Sequence, residues 1–333
     1  LDNGKTHYSP LAGEAELRKQ IAVHANTLYG DGIESKHIAV LPGAQAALFS
    51  SFLCISGADD EVIILEPTYA TYPAVIQANG AKLVTIVLES ENDYQINLPK
   101  IKAAVTKNTK AILINSPCNP SGVIFKQQDL NALAKFCQDH SIWLVCDEVY
   151  WSLSYDQEHC SAYLQRETRD NVIVVNSLSK SHAMSGWRVG WVIAPPAIIE
   201  ALTSLSQAQY FGVNQFVQLA AIHALKDHQS PKKFQEIFRG RRDAFLSKID
   251  ESTILRYTKP QGGMFVLIDV SSTGLDGEAF AEQLLDIEGV AVVPGFGFGS
   301  SMKNTIRLGF LTDIPRLEEA AVRLIRFATS LVS

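Results

Sequence analysis

Short apolar runs alternate with longer amphipathic stretches from about residue 14 to residue 191. An apolar run bounded by turn residues is typical of a strand buried in a parallel sheet, and an amphipathic stretch is typical of a helix that covers such a sheet. The predicted helices span residues 14–28, 45–56, 69–79, 99–105 and 127–139. The predicted strands span residues 62–65, 82–87, 111–114, 142–146, 172–175 and 189–193. This alternation predicts an α/β fold with a mostly parallel central sheet flanked by helices.

The rest of the chain predicts a smaller α+β unit. Helices are predicted over residues 198–209, 215–225 and 231–249, and the last of these is a long, charged helix that leads into the second unit. Strands over residues 264–270, 290–293 and 305–309 follow, with helices over residues 277–286 and 314–331. We therefore expect a large domain over residues 1–237 and a small C-terminal domain over residues 238–333.

Composition narrows the classes of function. The formal net charge of −6 provides no basic surface for nucleic acid. No apolar stretch approaches the roughly 20 residues that a membrane-spanning helix needs. The five cysteines are odd in number and form no Cys-x-x-Cys pair, which indicates reduced thiols in a cytoplasmic protein and argues against a disulfide framework or a zinc site.

Candidate chemistry is concentrated around Lys180, which closely follows the predicted strand 172–175. Ser177, Ser179 and Arg188 lie near it in sequence. A lysine in such a place can form a Schiff base with a carbonyl, and the hydroxyls and the guanidinium can hold a phosphate beside it. Pyridoxal 5'-phosphate (PLP) needs both features, so it is the candidate cofactor. The alternative interpretation is a surface lysine and arginine that flank a turn.

Two other strand ends carry polar residues that suit the same cofactor. Asp147 follows the apolar run 142–146, where a carboxylate can pair with a pyridinium nitrogen and keep it protonated. Asn119 lies in a rigid turn with two prolines, and Asn119 and Tyr150 could both donate hydrogen bonds to the ring oxygen of the cofactor. The alternatives are an aspartate that caps a turn and an Asn-Pro turn residue without a ligand.

Two further positions complete the candidate site. Gly43, Ala44 and Gln45 follow an apolar run and begin a helix-like stretch, whose free backbone N–H groups favour an anionic phosphate. Tyr69 follows the predicted strand 62–65 and could stack on the pyridine ring, although a core aromatic is the simpler interpretation.

Together these motifs resemble the class I/II aminotransferases of the fold type I PLP enzymes, and they span nearly the whole chain. The resemblance implies that Lys180 is the Schiff-base lysine, that Asp147 pairs with the ring nitrogen and that Tyr69 stacks on the ring. It further implies that Asn119 and Tyr150 bind the ring oxygen. The phosphate would be surrounded by Ala44, Gln45, Ser177, Ser179 and Arg188.

The resemblance also implies a substrate site and a partner. Arg307 resembles the arginine that binds the substrate's α-carboxylate, with Asn119 beside it, and Tyr8 resembles a tyrosine that relatives contribute to the phosphate of a neighbouring subunit. We therefore expect a homodimer that acts on an amino acid and a 2-oxo acid. Residues 6–8, 43–45, 176–184 and 262–266 resemble the arginine–pyruvate transaminases within the family.

Several alternatives stay open at this point. The chain begins with Leu1, whereas relatives usually have a further segment before the position of Tyr8, so we expect a trimmed or incomplete chain. A β-lyase or a racemase of the same fold would use the same cofactor residues, and the donor could equally be an aromatic or neutral amino acid. A non-catalytic PLP-binding or partner-binding module is a further alternative, against which Lys180, Asp147 and Arg307 all argue.

Overall fold

The computed structural model describes residues 4–332, so Leu1, on which the expectation of a missing segment rests, lies outside the described range. The helices, labelled in chain order, are α1 (Ala15–Tyr29), α2 (Ala44–Ile55), α3 (Tyr72–Gln77), α4 (Leu98–Ala104), α5 (Gln127–Asp139), α6 (Leu178–Ser181), α7 (Pro196–Gln209), α8 (Gln215–Leu225), α9 (Gln229–Ile249), α10 (Gly277–Glu288) and α11 (Ile314–Val332). Within residues 4–332, no helix is both long enough and apolar enough to cross a membrane.

The larger sheet of the described residues has seven strands. They are β1 (Ile38–Leu41), β2 (Glu61–Glu66), β3 (Lys82–Val87), β4 (Thr109–Asn115), β5 (Trp143–Asp147), β6 (Val172–Ser177) and β7 (Gly190–Ile193). Their order across the sheet is β1-β7-β6-β5-β4-β2-β3, and β7 alone runs antiparallel to its neighbours. The prediction of a mostly parallel sheet in an α/β fold is confirmed.

Helices cover both faces of this sheet because its strands are apolar on both sides. On β6, Val172 and Val174 belong to a core that also includes side chains of α1, α5 and α8. Ile173 and Val175 point to the opposite face and belong to a core with side chains of α2, α3 and α7. Since successive strand residues face opposite sides, one continuous apolar run supplies both cores and produces three layers.

The strand directions bring the ends of distant segments to one edge of the sheet. The carboxyl ends of β1, β2, β4, β5 and β6 meet there because these strands are parallel. β7 runs the other way, so the residues before its first residue, Gly190, arrive at the same edge. Gly190 is paired with Ser177 at the end of β6 and with Leu41 at the end of β1.

A smaller antiparallel sheet lies in the C-terminal part. Its strands are β8 (Arg256–Tyr257), β9 (Phe265–Asp269), β10 (Val293–Pro294) and β11 (Thr305–Gly309), in the order β10-β11-β9-β8. Its core includes Phe245 of α9, Phe280 of α10 and Phe327 of α11, and it extends to Tyr150 beside the larger sheet. The division into domains at residues 237 and 238 stays a prediction.

Some predicted elements need correction. The helix predicted over residues 69–79 begins only at Tyr72, because residues 69–72 form a turn in which the Tyr72 N–H donates to the Tyr69 carbonyl at 3.0 Å. The strand predicted over residues 290–293 pairs only at Val293–Pro294, because α10 runs to Glu288 and its C-cap residue, Gly289, lies in the left-handed region with φ 67°. The short strands β1 and β8 are absent from the sequence-based prediction.

Candidate active site

A cavity of about 160 Å³ lies at the edge of the larger sheet where the strand ends meet. Most predicted site residues line it. The lining residues are Ala44, Gln45, Leu48, Tyr69, Tyr72, Asn115, Asn119, Asp147, Val149, Tyr150, Ser177, Ser179, Lys180, Ser185 and Arg188. Of the predicted set, only Tyr8 and Arg307 are outside this lining. Segments separated by more than a hundred residues therefore converge on one small volume.

Asp147, the last residue of β5, provides a buried carboxylate that accepts two hydrogen bonds. Its Oδ2 accepts a hydrogen bond from the Tyr72 hydroxyl at 2.6 Å, and its Oδ1 accepts one from the Val149 N–H at 3.2 Å. Burial raises the pKa of Asp147 to about 6, although these two hydrogen bonds lower it. A carboxylate in such a place favours a cationic partner, which would restore the ionised form.

Lys180 is placed by the short helix α6, which follows β6 directly. Ser177 caps this helix through its hydroxyl, which accepts from the Ser179 N–H at 3.3 Å. The Lys180 Nζ lies 5.8 Å from the centre of the Tyr150 ring. Burial lowers the pKa of Lys180, the Asp147 carboxylate opposes that shift, and the charge of Arg188 lowers the pKa further. A lowered pKa increases the fraction of neutral amine, which is the nucleophilic form.

An anion site is formed where the start of α2 faces Arg188. The first N–H groups of α2 have no acceptor within the helix, and its N-cap residue, Gly43, offers no side-chain cap. Arg188 Nη1 donates to the Ser185 carbonyl at 2.7 Å and Nη2 to the Pro42 carbonyl at 3.3 Å, which fixes the guanidinium beside Gly43.

Glycines make this close approach possible. A Cβ atom at Gly43 would lie 2.5 Å from Arg188 Nη2, and one at Gly190 would lie 2.7 Å from the Ala44 N atom. Both distances are shorter than real carbon contacts allow, so any side chain at either position would displace the helix start or the arginine. The arrangement of backbone N–H groups and guanidinium suits a phosphate.

Arg307, on β11 of the smaller sheet, lies behind the cavity wall and contacts the lining residue Asn119. Its Nη1 donates to the Asn119 Oδ1 at 3.0 Å. Its guanidinium carbon lies 4.2 Å from the centre of the Phe265 ring and 4.5 Å from that of Phe298. Two aromatic contacts and one hydrogen bond restrict the side chain, and they leave other guanidinium N–H groups available for a carboxylate.

Tyr150 and Asn119 line the cavity between Lys180 and Arg307. Burial raises the pKa of Tyr150 above its usual value, so the phenol stays protonated at neutral pH and can donate a hydrogen bond. The ring of Tyr69 contacts that of Tyr72 edge-on, with centroids 5.5 Å apart. Tyr69 therefore packs against Tyr72 on the cavity wall.

Tyr8 does not reach the cavity of its own chain. Its side chain is 82% exposed, and its ring centre lies 5.4 Å from that of Phe211. The role of Tyr8 at the phosphate of a second subunit stays a prediction.

The profile of the aminotransferase class I and II family matches residues 2–324, nearly the whole chain. The chain belongs to the class I and II aminotransferase family. This confirms the sequence-based prediction of an enzyme of the transaminase type.

Relatives within the family differ in substrate. The arginine–pyruvate transaminase of Pseudomonas aeruginosa is 40% identical over 330 residues, which cover 99% of this chain and 84% of that protein. The aspartate aminotransferase of Bacillus subtilis is 35% identical over 335 residues, covering 98% of this chain and 85% of that protein. An aromatic aminotransferase from Pyrococcus horikoshii superposes with a TM-score of 0.95 at 33% identity, over 99% of this chain and 89% of that structure. The fold type I prediction is confirmed, and the substrate is not decided.

Five lining residues of this aminotransferase site were missed in the sequence, and two of them, Tyr72 and Asn115, hold other site residues in place through their side chains. Tyr72 holds Asp147, and Asn115 links two strand ends, since its Nδ2 donates to the Asp147 carbonyl at 2.9 Å and its Oδ1 accepts from the Asn119 N–H at 2.7 Å. A polar residue at the end of a buried strand was the available signal for Asn115. No local pattern pointed to Tyr72.

Proposed function

We propose that this enzyme is a PLP-dependent aminotransferase that moves an amino group from an amino acid to a 2-oxo acid. One observation carries the proposal. An amine of lowered pKa (Lys180), a buried carboxylate (Asp147) and an anion site at a helix start face one cavity. PLP requires these three groups, because the amine can react with its aldehyde, the carboxylate can pair with its pyridinium nitrogen and the anion site can bind its phosphate.

The residues present fit this cofactor. The helix start and Arg188 would hold the phosphate, with Ser177 and Ser179 beside them, and the glycines allow the helix start and the arginine to approach each other. Asp147 lies on the neighbouring strand, where a cationic ring nitrogen would compensate for its burial. Tyr150 and Asn119 would hold the ring oxygen, and Tyr69 would cover the ring.

PLP, when bound, would supply an electron sink for the carbanion formed when the substrate loses its α-proton. The protein's own groups then have distinct tasks. Lys180 would hold the cofactor and, once freed by substrate, move the proton with its Nζ. Asp147 would keep the ring nitrogen charged without itself transferring a proton. Arg307 would hold the α-carboxylate, so that the α-carbon faces Lys180.

We further propose arginine as the amino donor and pyruvate as the acceptor. Residues 203–218 contain no Arg or Lys. The family resemblance implies that a dicarboxylate-specific member would have a second arginine in this region. A side-chain carboxylate of aspartate or glutamate would be desolvated without a counter-charge. The arginine–pyruvate transaminase of P. aeruginosa supports the same choice. Aspartate aminotransferases at 35% identity are the competing indication.

A donor screen tests this proposal. Arginine and other donors without a side-chain carboxylate should be preferred with pyruvate as acceptor, each amino group lost from the donor appearing as alanine. The measurement is kcat/KM for a panel of amino acids. A tenfold preference for aspartate or glutamate, about 1.4 kcal/mol in transition-state binding, would contradict the donor assignment. Pyruvate released without an acceptor would instead indicate a lyase.

We also propose that the protein forms a homodimer and that it is cytoplasmic. Four large aromatic side chains are exposed: Tyr8, Trp187, Phe211 and Phe216. Trp187 and Phe216 line a second cavity together with Arg188, and Phe211 lies next to residues that line it. Several exposed aromatic side chains next to the anion site suit contact with a second copy of the chain. The free cysteines found among the described residues fit a reducing compartment.

Mixed dimers test the proposed role of Tyr8. A Lys180→Ala chain should be inactive, and a Tyr8→Ala chain should be weak at limiting PLP because its phosphate site is incomplete. Mixing the two should restore activity, since the intact Tyr8 of the first chain would complete the site that retains Lys180. The measurement is activity after subunit exchange at limiting PLP. An absence of any gain would show that Tyr8 does not serve a neighbouring site.

A further inference from the structure

Glu66, the last residue of β2, makes an unusual contact with the C-terminal part of the chain. Its side chain is 5% exposed. Its Oε1 accepts hydrogen bonds from the backbone N–H of Ser301 at 2.6 Å and from the Ser301 hydroxyl at 2.5 Å. A buried carboxylate that accepts two hydrogen bonds from one residue, 235 positions later in the chain, fixes that residue strongly.

The segment before Ser301 is fitted closely onto this carboxylate. Gly299 has φ 132°, and a Cβ atom there would lie 2.0 Å from the Glu66 Cδ. The neighbouring Thr68 N–H donates to the Phe298 carbonyl at 2.9 Å. Residues 298–301 are therefore attached to the end of β2 through both a side chain and the backbone.

This segment carries one of the two rings that contact Arg307. The Phe298 side chain is 3% exposed, and its ring centre lies 4.5 Å from the Arg307 guanidinium carbon. Tyr69, which lies three residues after Glu66 in the segment that follows β2, lines the cavity. Glu66 thus connects two parts of the site. One is the segment of Tyr69, which would cover the cofactor ring, and the other is the segment of Phe298, whose ring contacts Arg307.

We propose that Glu66 is a positioning residue, which fixes the carboxylate-binding geometry of Arg307 through Ser301 and Phe298. The proposal rests on the function proposed above, in which Arg307 binds the substrate's α-carboxylate. Glu66 is not among the residues that line the cavity. Its loss would remove the side-chain attachment at Ser301 and leave only the backbone hydrogen bond of Phe298, so the Phe298 ring would support the Arg307 side chain less tightly and Arg307 would sample other rotamers.

Kinetics of three variants test this role. Glu66→Ala should raise KM for the amino donor by about fivefold or more, with kcat and PLP affinity changed by less than about twofold. Glu66→Gln keeps a side-chain acceptor for the Ser301 donors and should lie between wild type and Glu66→Ala. Glu61→Ala is the matched control, because Glu61 begins the same strand and also accepts a hydroxyl hydrogen bond, from Thr106 at 2.6 Å. We expect this control to keep the wild-type KM.

A binding measurement separates this proposal from the proposed function. An α-methyl amino acid has no α-proton to lose, so calorimetric titration reports its binding without turnover. Glu66→Ala should weaken this binding by the same factor as it raises KM, and Arg307→Leu should weaken it more. An unchanged KM, or equal losses in kcat and PLP affinity, would overturn the positioning role. A wild-type protein that binds the compound but transfers no amino groups would contradict the proposed function, and the titration would still decide the role of Glu66.

Discussion

A Lys180→Ala variant should lose at least about a thousandfold in turnover, because a single amine is proposed both to hold the cofactor and to transfer the proton, and each task alone is worth orders of magnitude. The amine is suited to both tasks by its position. It lies on α6, which follows β6 directly, it lines the same cavity as Asp147, and burial lowers its pKa.

Borohydride reduction followed by peptide mapping is the measurement. The wild type should carry PLP on the peptide that contains Lys180, whereas Lys180→Ala should give no reduced adduct. Lys226→Ala is the control, since this lysine is exposed and lies outside the cavity. A reduced adduct at another lysine in the Lys180→Ala protein would refute the assignment.

Asp147→Asn should slow proton abstraction by orders of magnitude while PLP stays bound. An amide cannot compensate the charge of a pyridinium nitrogen, so the ring would accept electrons poorly. The phosphate site and Lys180 are untouched by the change, which is why the cofactor should remain. Single-turnover absorbance changes after addition of substrate measure the step. A variant with wild-type single-turnover rates would show that Asp147 does not have this role.

The same substitution should stabilise the protein without cofactor at neutral pH. Burial raises the pKa of Asp147 from 3.8 to about 6, so the folded state binds the proton more tightly than the unfolded state does. The free energy of unfolding contributed by this group therefore falls as pH rises between these two values, by about 3 kcal/mol in total. Asparagine has no proton to lose and avoids this cost.

Urea unfolding of the cofactor-free proteins at pH 4 and pH 7.5 would measure this difference. We expect wild type and Asp147→Asn to be closer in stability at the lower pH and the variant to be more stable at the higher pH. A variant that is less stable than wild type at pH 7.5 would show that the Tyr72 hydrogen bond outweighs the cost of burying the charge.

The sequence was most informative where local pattern decides structure. α5 over residues 127–139 and β3 over residues 82–87 have their predicted bounds, because each has a clear apolar pattern between turn residues. Lys180 and Arg188 could be found because only a short stretch of chain separates them. Resemblance then supplied roles for residues such as Arg307 that a lone arginine could not have suggested.

The features that could not be predicted from the sequence depend on contacts between distant segments. The Tyr72–Asp147 hydrogen bond joins residues 75 positions apart, and the Glu66–Ser301 contact joins residues 235 apart. Neither pair has a periodicity or a motif, since Tyr72–Asp147 arises from how α3 packs on the larger sheet and Glu66–Ser301 from how that sheet meets the C-terminal part of the chain. The two-residue strand β8 was missed for a related reason, because a strand so short is specified by its partner β9 and not by its own composition.

Because β7 runs antiparallel to β6, Lys180 and Arg188, the two residues proposed to hold the cofactor, lie in one short connection between these strands. Lys180 and Arg188 are joined without a crossover helix, whereas α2, α3, α4 and α5 each connect two parallel strands of the same sheet. Cooperative local opening of residues 178–189 would therefore release the aldehyde end and the phosphate end together. Cofactor loss should then be a single kinetic event, and its rate should follow the amide hydrogen exchange of this stretch instead of global unfolding.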